Sequence, residues 1–74
     1  MKIAIMGFGT VGSGAYESAR IAGGIEVVKI LARHGREGYE FLNSIITPNI
    51  DVIAGDPDIE LVVESMGGVE PARE

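Results

Sequence analysis

The sequence predicts an α/β fold, a parallel sheet of about three to four strands (a βαβ unit plus a later strand) with incomplete helical cover. Three observations predict it. Apolar or β-branched runs recur at Ile3–Met6, Ile25–Leu31 and Ile59–Met66, as in strands of a buried sheet. Between the first two runs, apolar and small residues switch to spacings of three and four, the period of a helix. The 11 glycines among 74 residues, roughly twice the usual share, gather at the joints between these stretches.

Taken in order, Ile3-Ala4-Ile5-Met6 is an unbroken apolar run that Gly7 ends, the pattern of a strand covered on both faces. From Val11 to Ala22 a helix is predicted, with Val11, Ala15, Ser18/Ala19 and Ala22 on the face toward the sheet; Gly23-Gly24 stop it. Ile25–Leu31 is rich in β-branched residues and reads as the second strand. A right-handed crossover is the expected connection. Ala32 to Gly38 is a loop by its glycines and charges. Tyr39, Leu42 and Ile46 fit a short helix, although Ile45-Ile46 equally fit a stub of strand. Thr47-Pro48 has the form of a helix start, with Thr as N-cap and Pro at the first helical position, and that helix ends near Ala54 before the turn at Gly55-Asp56-Pro57-Asp58. Ile59–Met66 is a further strand closed by Gly67-Gly68, and Pro71 opens another helix.

Gly7-Phe8-Gly9-Thr10-Val11-Gly12 is G-x-G-x-x-G placed directly after a strand and at the start of a helix, where a dinucleotide fingerprint belongs. Gly7 permits the tight turn. Gly9, lacking a Cβ, lets a pyrophosphate reach the backbone, and Gly12 lets the helix lie close to the strand. The amides around Thr10, Val11 and Gly12 are then free to meet phosphate oxygens at the positive end of the helix dipole. Gly14 adds a second small position. The plain alternative is a glycine-rich connector. With the flanking elements, the reading is nucleotide binding.

The end of the second strand bears on which nucleotide is held. An NAD site favours an acid there for the ribose hydroxyl. This chain has Ala32-Arg33-His34-Gly35-Arg36 and no acid before Glu37. A guanidinium suits a 2′-phosphate, so Arg33 favours NADP, with NAD still open. Against this stands a simple solvated loop. His34 is given no catalytic role. Met1, Met6 and Met66 read as strand or core residues, Tyr39 and Phe41 as core, and the acids from Asp51 to Glu60 as a solvated edge. Glu64, inside an apolar strand, is expected either to face a polar cleft or to find a partner, because an unpaired buried carboxylate is costly.

Composition closes several function classes. Without cysteine there is no disulfide and no thiolate chemistry, and a single histidine gives little basis for a metal cage. A net charge of −5 argues against nucleic acid or an anionic membrane as partner. No segment reaches the roughly 20 apolar residues of a spanning helix, and the first residues are too short for a signal-peptide core, so a cytoplasmic location is expected. At 46% apolar residues the chain is expected to fold, but a domain this short has little core to spare.

Three stretches together resemble the N-terminus of homoserine dehydrogenase: Ile5 to Gly14, Val27 to Arg33, and Asp56 to Ala72. The last is the most telling, a D-P-x-I-x-x-V-V-E strand followed by Gly67-Gly68-Val69-Glu70-Pro71-Ala72. The resemblance spans nearly the whole chain and is weakest from Gly35 to Ile46. It implies an NAD(P)-dependent oxidoreductase interconverting L-homoserine and L-aspartate 4-semialdehyde, on the route to threonine and methionine. By that likeness Phe8, Gly9, Thr10 and Val11 hold the pyrophosphate and Arg33 the adenosine end. Ser65, Met66 and Gly67 lie by the cofactor at the close of the later strand.

Members of that family continue into the rest of the nucleotide domain and a catalytic and dimerisation domain. Residues 1–74 are therefore expected to be the front part of an NAD(P)-binding Rossmann domain without the catalytic residues, inactive alone. Lys2 and Lys29 match no catalytic position. Such a half-domain leaves an open sheet edge that invites self-association. A stand-alone nucleotide-binding or regulatory module is the alternative. An S-adenosylmethionine site also uses a glycine-rich first turn, but Arg33 stands where it wants an acid.

Overall fold

Ile3, Ala4 and Ile5 are buried on both faces because their strand lies inside the sheet rather than at its rim. The computed structural model describes residues 1–65. It contains β1 (Lys2–Met6), α1 (Thr10–Ala22), β2 (Glu26–Leu31), a 3₁₀ helix (Glu40–Ile45), β3 (Ile46–Thr47), α2 (Ile50–Ala54) and β4 (Leu61–Glu64). The four strands form one sheet in the order β3-β2-β1-β4, and every pairing is parallel. This is the α/β, partial Rossmann architecture that the sequence predicts, with β1 flanked by β2 on one side and β4 on the other. A register shift between Ile3 and Ala4 lets Val28 stand without a partner in β2.

The core forms around Ile5, Phe8, Ile30 and Leu42, with Ala15, Tyr16, Val27, Tyr39 and Ile46 among the partly buried residues against it. α1 lies over β1 and β2, and α2 over β2. Both readings of residues 39–46 are realised, a short 3₁₀ helix running directly into the stub β3.

Several expectations are corrected. The inward side of α1 is Gly12, Ser13 and Ala19, with Ala15 and Tyr16 half-buried; Val11 is 69% exposed, and Ser18 and Ala22 are exposed. Ala15 and Ala19 of the expected face do turn toward the sheet, while Gly12 approaches the Gly7 carbonyl and Tyr16 joins Phe8 and Tyr39 in an aromatic cluster. The second helix begins later than Thr47-Pro48: Asn49 is its N-cap, accepting the Asp51 N–H at 2.9 Å, while Thr47 ends β3 and its hydroxyl accepts the Asn49 N–H at 3.1 Å. β4 is shorter than the apolar run, since the Ile59 N–H donates to the Asp56 carbonyl in a turn. Glu64 is exposed rather than buried, on the rim strand. Phe41 and Met1 are exposed, not core. The helix expected at Pro71 lies outside the described residues.

Candidate functional site

The glycine turn is built by the end of β1 and the start of α1. Gly7 takes φ 98°, a conformation that disfavours any side chain, and its N–H donates to the Leu31 carbonyl at 2.8 Å, tying the turn to β2. Gly9 caps α1 without a side-chain hydrogen bond. The Ser13 N–H donates to the Gly9 carbonyl at 2.9 Å, the first bond of the helical ladder. The amides of Thr10, Val11 and Gly12 therefore have no acceptor among the described residues, as expected for a helix start. The first turn carries no acid to compete for them.

The glycines differ in what surrounds them. A Cβ on Gly9 would meet nothing within 4 Å, so the space in front of it is open. A Cβ on Gly12 would collide with the Gly7 carbonyl oxygen and lie 2.9 Å from the Ser65 hydroxyl. Gly9 thus leaves room for a ligand, and Gly12 permits close packing of helix on strand.

A crevice of about 490 Å³ opens at the carboxyl ends of the strands. Its walls are Gly7 and Phe8 after β1, Leu31 through Gly35 at the end of β2, and Pro48 after β3. Open α/β sheets bind their ligands at this end of the strands. A second, more polar cleft of about 510 Å³ shares Phe8 and Gly35 and adds Arg36 and Glu37. Gly9, Thr10 and Val11 are exposed on the turn beside the first crevice, and Arg33 and His34 are exposed along its wall.

The sequence-derived residues fall into three groups. Gly7, Phe8, Gly9, Thr10, Val11 and Gly12 form the turn, and Arg33 lines the same crevice as Gly7 and Phe8. Ser65 sits behind the turn, its hydroxyl donating to the Met6 and Gly7 carbonyls at 2.9 and 3.0 Å. Met66 and Gly67 lie outside the described residues.

Sequence reasoning missed the support beneath the turn. The Phe8 side chain is buried in the core and meets Tyr39 edge-on at 5.2 Å and Tyr16 at 6.4 Å. The Tyr39 hydroxyl donates to Glu17 Oε2 at 3.1 Å, while Arg20 donates to Glu17 Oε1 through two nitrogens. These bonds, Arg20 first and Tyr39 second, hold the Glu17 carboxyl below its ordinary range. The Tyr39 phenol is raised, chiefly by desolvation and then by Glu17. The network ties α1 to the segment that follows the Arg33 loop. The position of Tyr16, one helical turn after Gly12, was the available signal. Pro48 as a crevice wall left none.

With this geometry in place, relatives can be compared. The chain is similar to homoserine dehydrogenases. It is 34% identical to the one from Synechocystis sp. over 82 aligned positions and 40% identical to that of Pseudomonas aeruginosa over 83. These alignments take in 99% and 100% of this chain but 19% of each relative, so the chain spans about a fifth of their length. No family model and no solved structure matches it. No helix among the described residues is long and apolar enough to cross a membrane.

Proposed function

We propose that this chain is the dinucleotide-binding segment of an NAD(P)-dependent oxidoreductase of the homoserine dehydrogenase type, serving the interconversion of L-homoserine and L-aspartate 4-semialdehyde. The observation that carries the reading is the row of amides at Thr10, Val11 and Gly12 that have no acceptor among the described residues, beside a crevice at the strand ends. The similarity to homoserine dehydrogenases over the whole chain gives that binding geometry its chemistry.

In this reading the turn from Gly7 to Gly12 takes the diphosphate through backbone N–H groups, with Phe8 contributing its backbone alone. Arg33, exposed on the crevice wall where an NAD site would carry an acid, takes the 2′-phosphate and favours NADP over NAD. Met66 and Gly67, next after Ser65 in the sequence, are taken in this reading as cofactor-binding residues. The bound dinucleotide supplies a nicotinamide carbon that accepts or returns hydride. In this reading the described residues bind and orient it, and the 74-residue chain alone is expected to bind without turnover.

Isothermal titration with NADPH, NADH and S-adenosylmethionine tests this. NADPH binds more tightly than NADH, Arg33→Asp reverses or erases that preference, and S-adenosylmethionine gives no heat. Failure of both dinucleotides to bind, or preferential binding of S-adenosylmethionine, contradicts the assignment.

A further inference from the structure

Ser65 follows β4 directly and is half-buried behind the glycine turn. Its backbone N–H donates to the Met6 carbonyl at 2.9 Å, continuing the β1–β4 ladder by one step. Its hydroxyl donates toward two carbonyls, Met6 at 2.9 Å and Gly7 at 3.0 Å. A serine hydroxyl has one proton to give, and both acceptors are backbone carbonyls at the end of β1. That proton is therefore committed within the fold. The resemblance to the family implies that Ser65 lies beside the cofactor; the hydrogen bonds show what its hydroxyl contacts within the chain.

The Gly7 carbonyl is the group that matters. Gly7 sits at φ 98°, and its oxygen is directed at Gly12, as the collision of a Gly12 Cβ with it shows. Turned the other way, the same carbonyl would present its negative end to the anion that the amides of Thr10, Val11 and Gly12 await. Glycine has little intrinsic bias between such conformations, so something outside the turn must choose. The Ser65 side chain contacts this carbonyl from just past the end of β4, 58 residues away in sequence.

We infer that Ser65 is a positioning residue: its hydroxyl holds the Gly7 carbonyl inward and so keeps the glycine turn open to a diphosphate. This rests on the dinucleotide reading above and assigns the regulation of turn geometry to the end of β4.

The test compares the 74-residue chain with Ser65→Ala and Ser65→Thr, using NADPH fluorescence and competition by inorganic pyrophosphate. Loss of one hydrogen bond predicts about three- to tenfold weaker binding of both probes by Ser65→Ala, and recovery in Ser65→Thr, which keeps the donor. The amide resonances of Phe8 and Gly9 shift in the ligand-free alanine variant while that of Ile30 does not. Should the alanine variant fail to fold, Ser65→Cys keeps the volume with a weak donor, and the same loss is expected. Unchanged affinity in both donor-poor variants overturns the role of Ser65 and leaves the dinucleotide reading intact. A wild-type chain that binds neither probe overturns both.

Discussion

β1 and β4 are written in the same alphabet and end in opposite environments. Ile5 in β1 is fully buried, whereas Leu61 and Val62 in β4 remain 51% and 40% exposed. The two strands pair directly, Ile5 beside Val63, so the difference is not one of sheet membership. β1 is flanked by β2 and β4 and covered by α1, while among the described residues β4 pairs with β1 alone. Ala15, Ser18, Ala19 and Ala22 of α1 line, with Met1, Ile3, Ile25, Leu61 and Val63, an open apolar groove of about 350 Å³. An apolar run therefore marks a strand, but the neighbours decide how much that strand contributes to stability.

Truncation of Ile5 is the largest expected break in this contrast. Ile5→Ala removes a fully buried side chain and should cost about 2–5 kcal/mol, which in a domain of this size leaves little folded protein in a denaturant titration. Gly12→Ala comes next. Its Cβ would strike backbone rather than a movable side chain, so a loss of about 1–3 kcal/mol is expected, together with loss of NADPH binding as α1 is pushed off the turn. Gly9→Ala, with open space in front of it, should fold normally and weaken dinucleotide binding alone.

A smaller effect is expected from the Glu17 network, which braces α1 against Tyr39. The Glu17 carboxyl titrates lower in the folded chain than in the unfolded one, so the native state binds its proton less readily. Its contribution is complete above the ordinary carboxylate range and fades as pH falls through the lowered folded value. Thermal unfolding from neutral to acid pH should show this decline, and Glu17→Gln should flatten it. The pair with Arg20 is exposed, which keeps the effect modest.

The least change in stability belongs to β4. Leu61→Lys should alter it by no more than about 0.5 kcal/mol, because the side chain is already half in water. The same substitution bears on the proposal that the free sheet edge promotes self-association. Light scattering of the wild-type chain should rise with concentration and fall back in the variant; a concentration-independent monomer in both would remove that proposal.

The β1–turn–α1–β2 unit was legible because its signals are local. A positive-φ glycine, a helical period and a β-branched run each constrain a few neighbouring residues. What was not legible depends on partners distant in sequence. On α1, Ala15 and Ala19 were legible but Val11 stays exposed and Tyr16 was missed, since Tyr16 meets Phe8 and Tyr39, and Tyr39 is 23 positions further on. Glu64 was taken as buried because an apolar strand was assumed to have neighbours on both sides. Thr47-Pro48 carries a genuine start signal, yet β3 claims Thr47 as the partner of Leu31, and the cap passes to Asn49. At the candidate site, the turn and Arg33 were read from spacing alone, but the Ser65 bonds to Met6 and Gly7 needed the β1–β4 register.

The most direct test follows individual amides while a ligand is added. In a titration of isotopically labelled chain with NADPH, the backbone N–H resonances of Gly9, Thr10, Val11 and Gly12 should move together and saturate with a single affinity, with Arg33 moving alongside. Resonances on the exposed β4 edge should stay in place. If NADPH leaves the Gly9–Gly12 amides unmoved, or shifts only residues away from the turn, the anion is not held there and the account is contradicted.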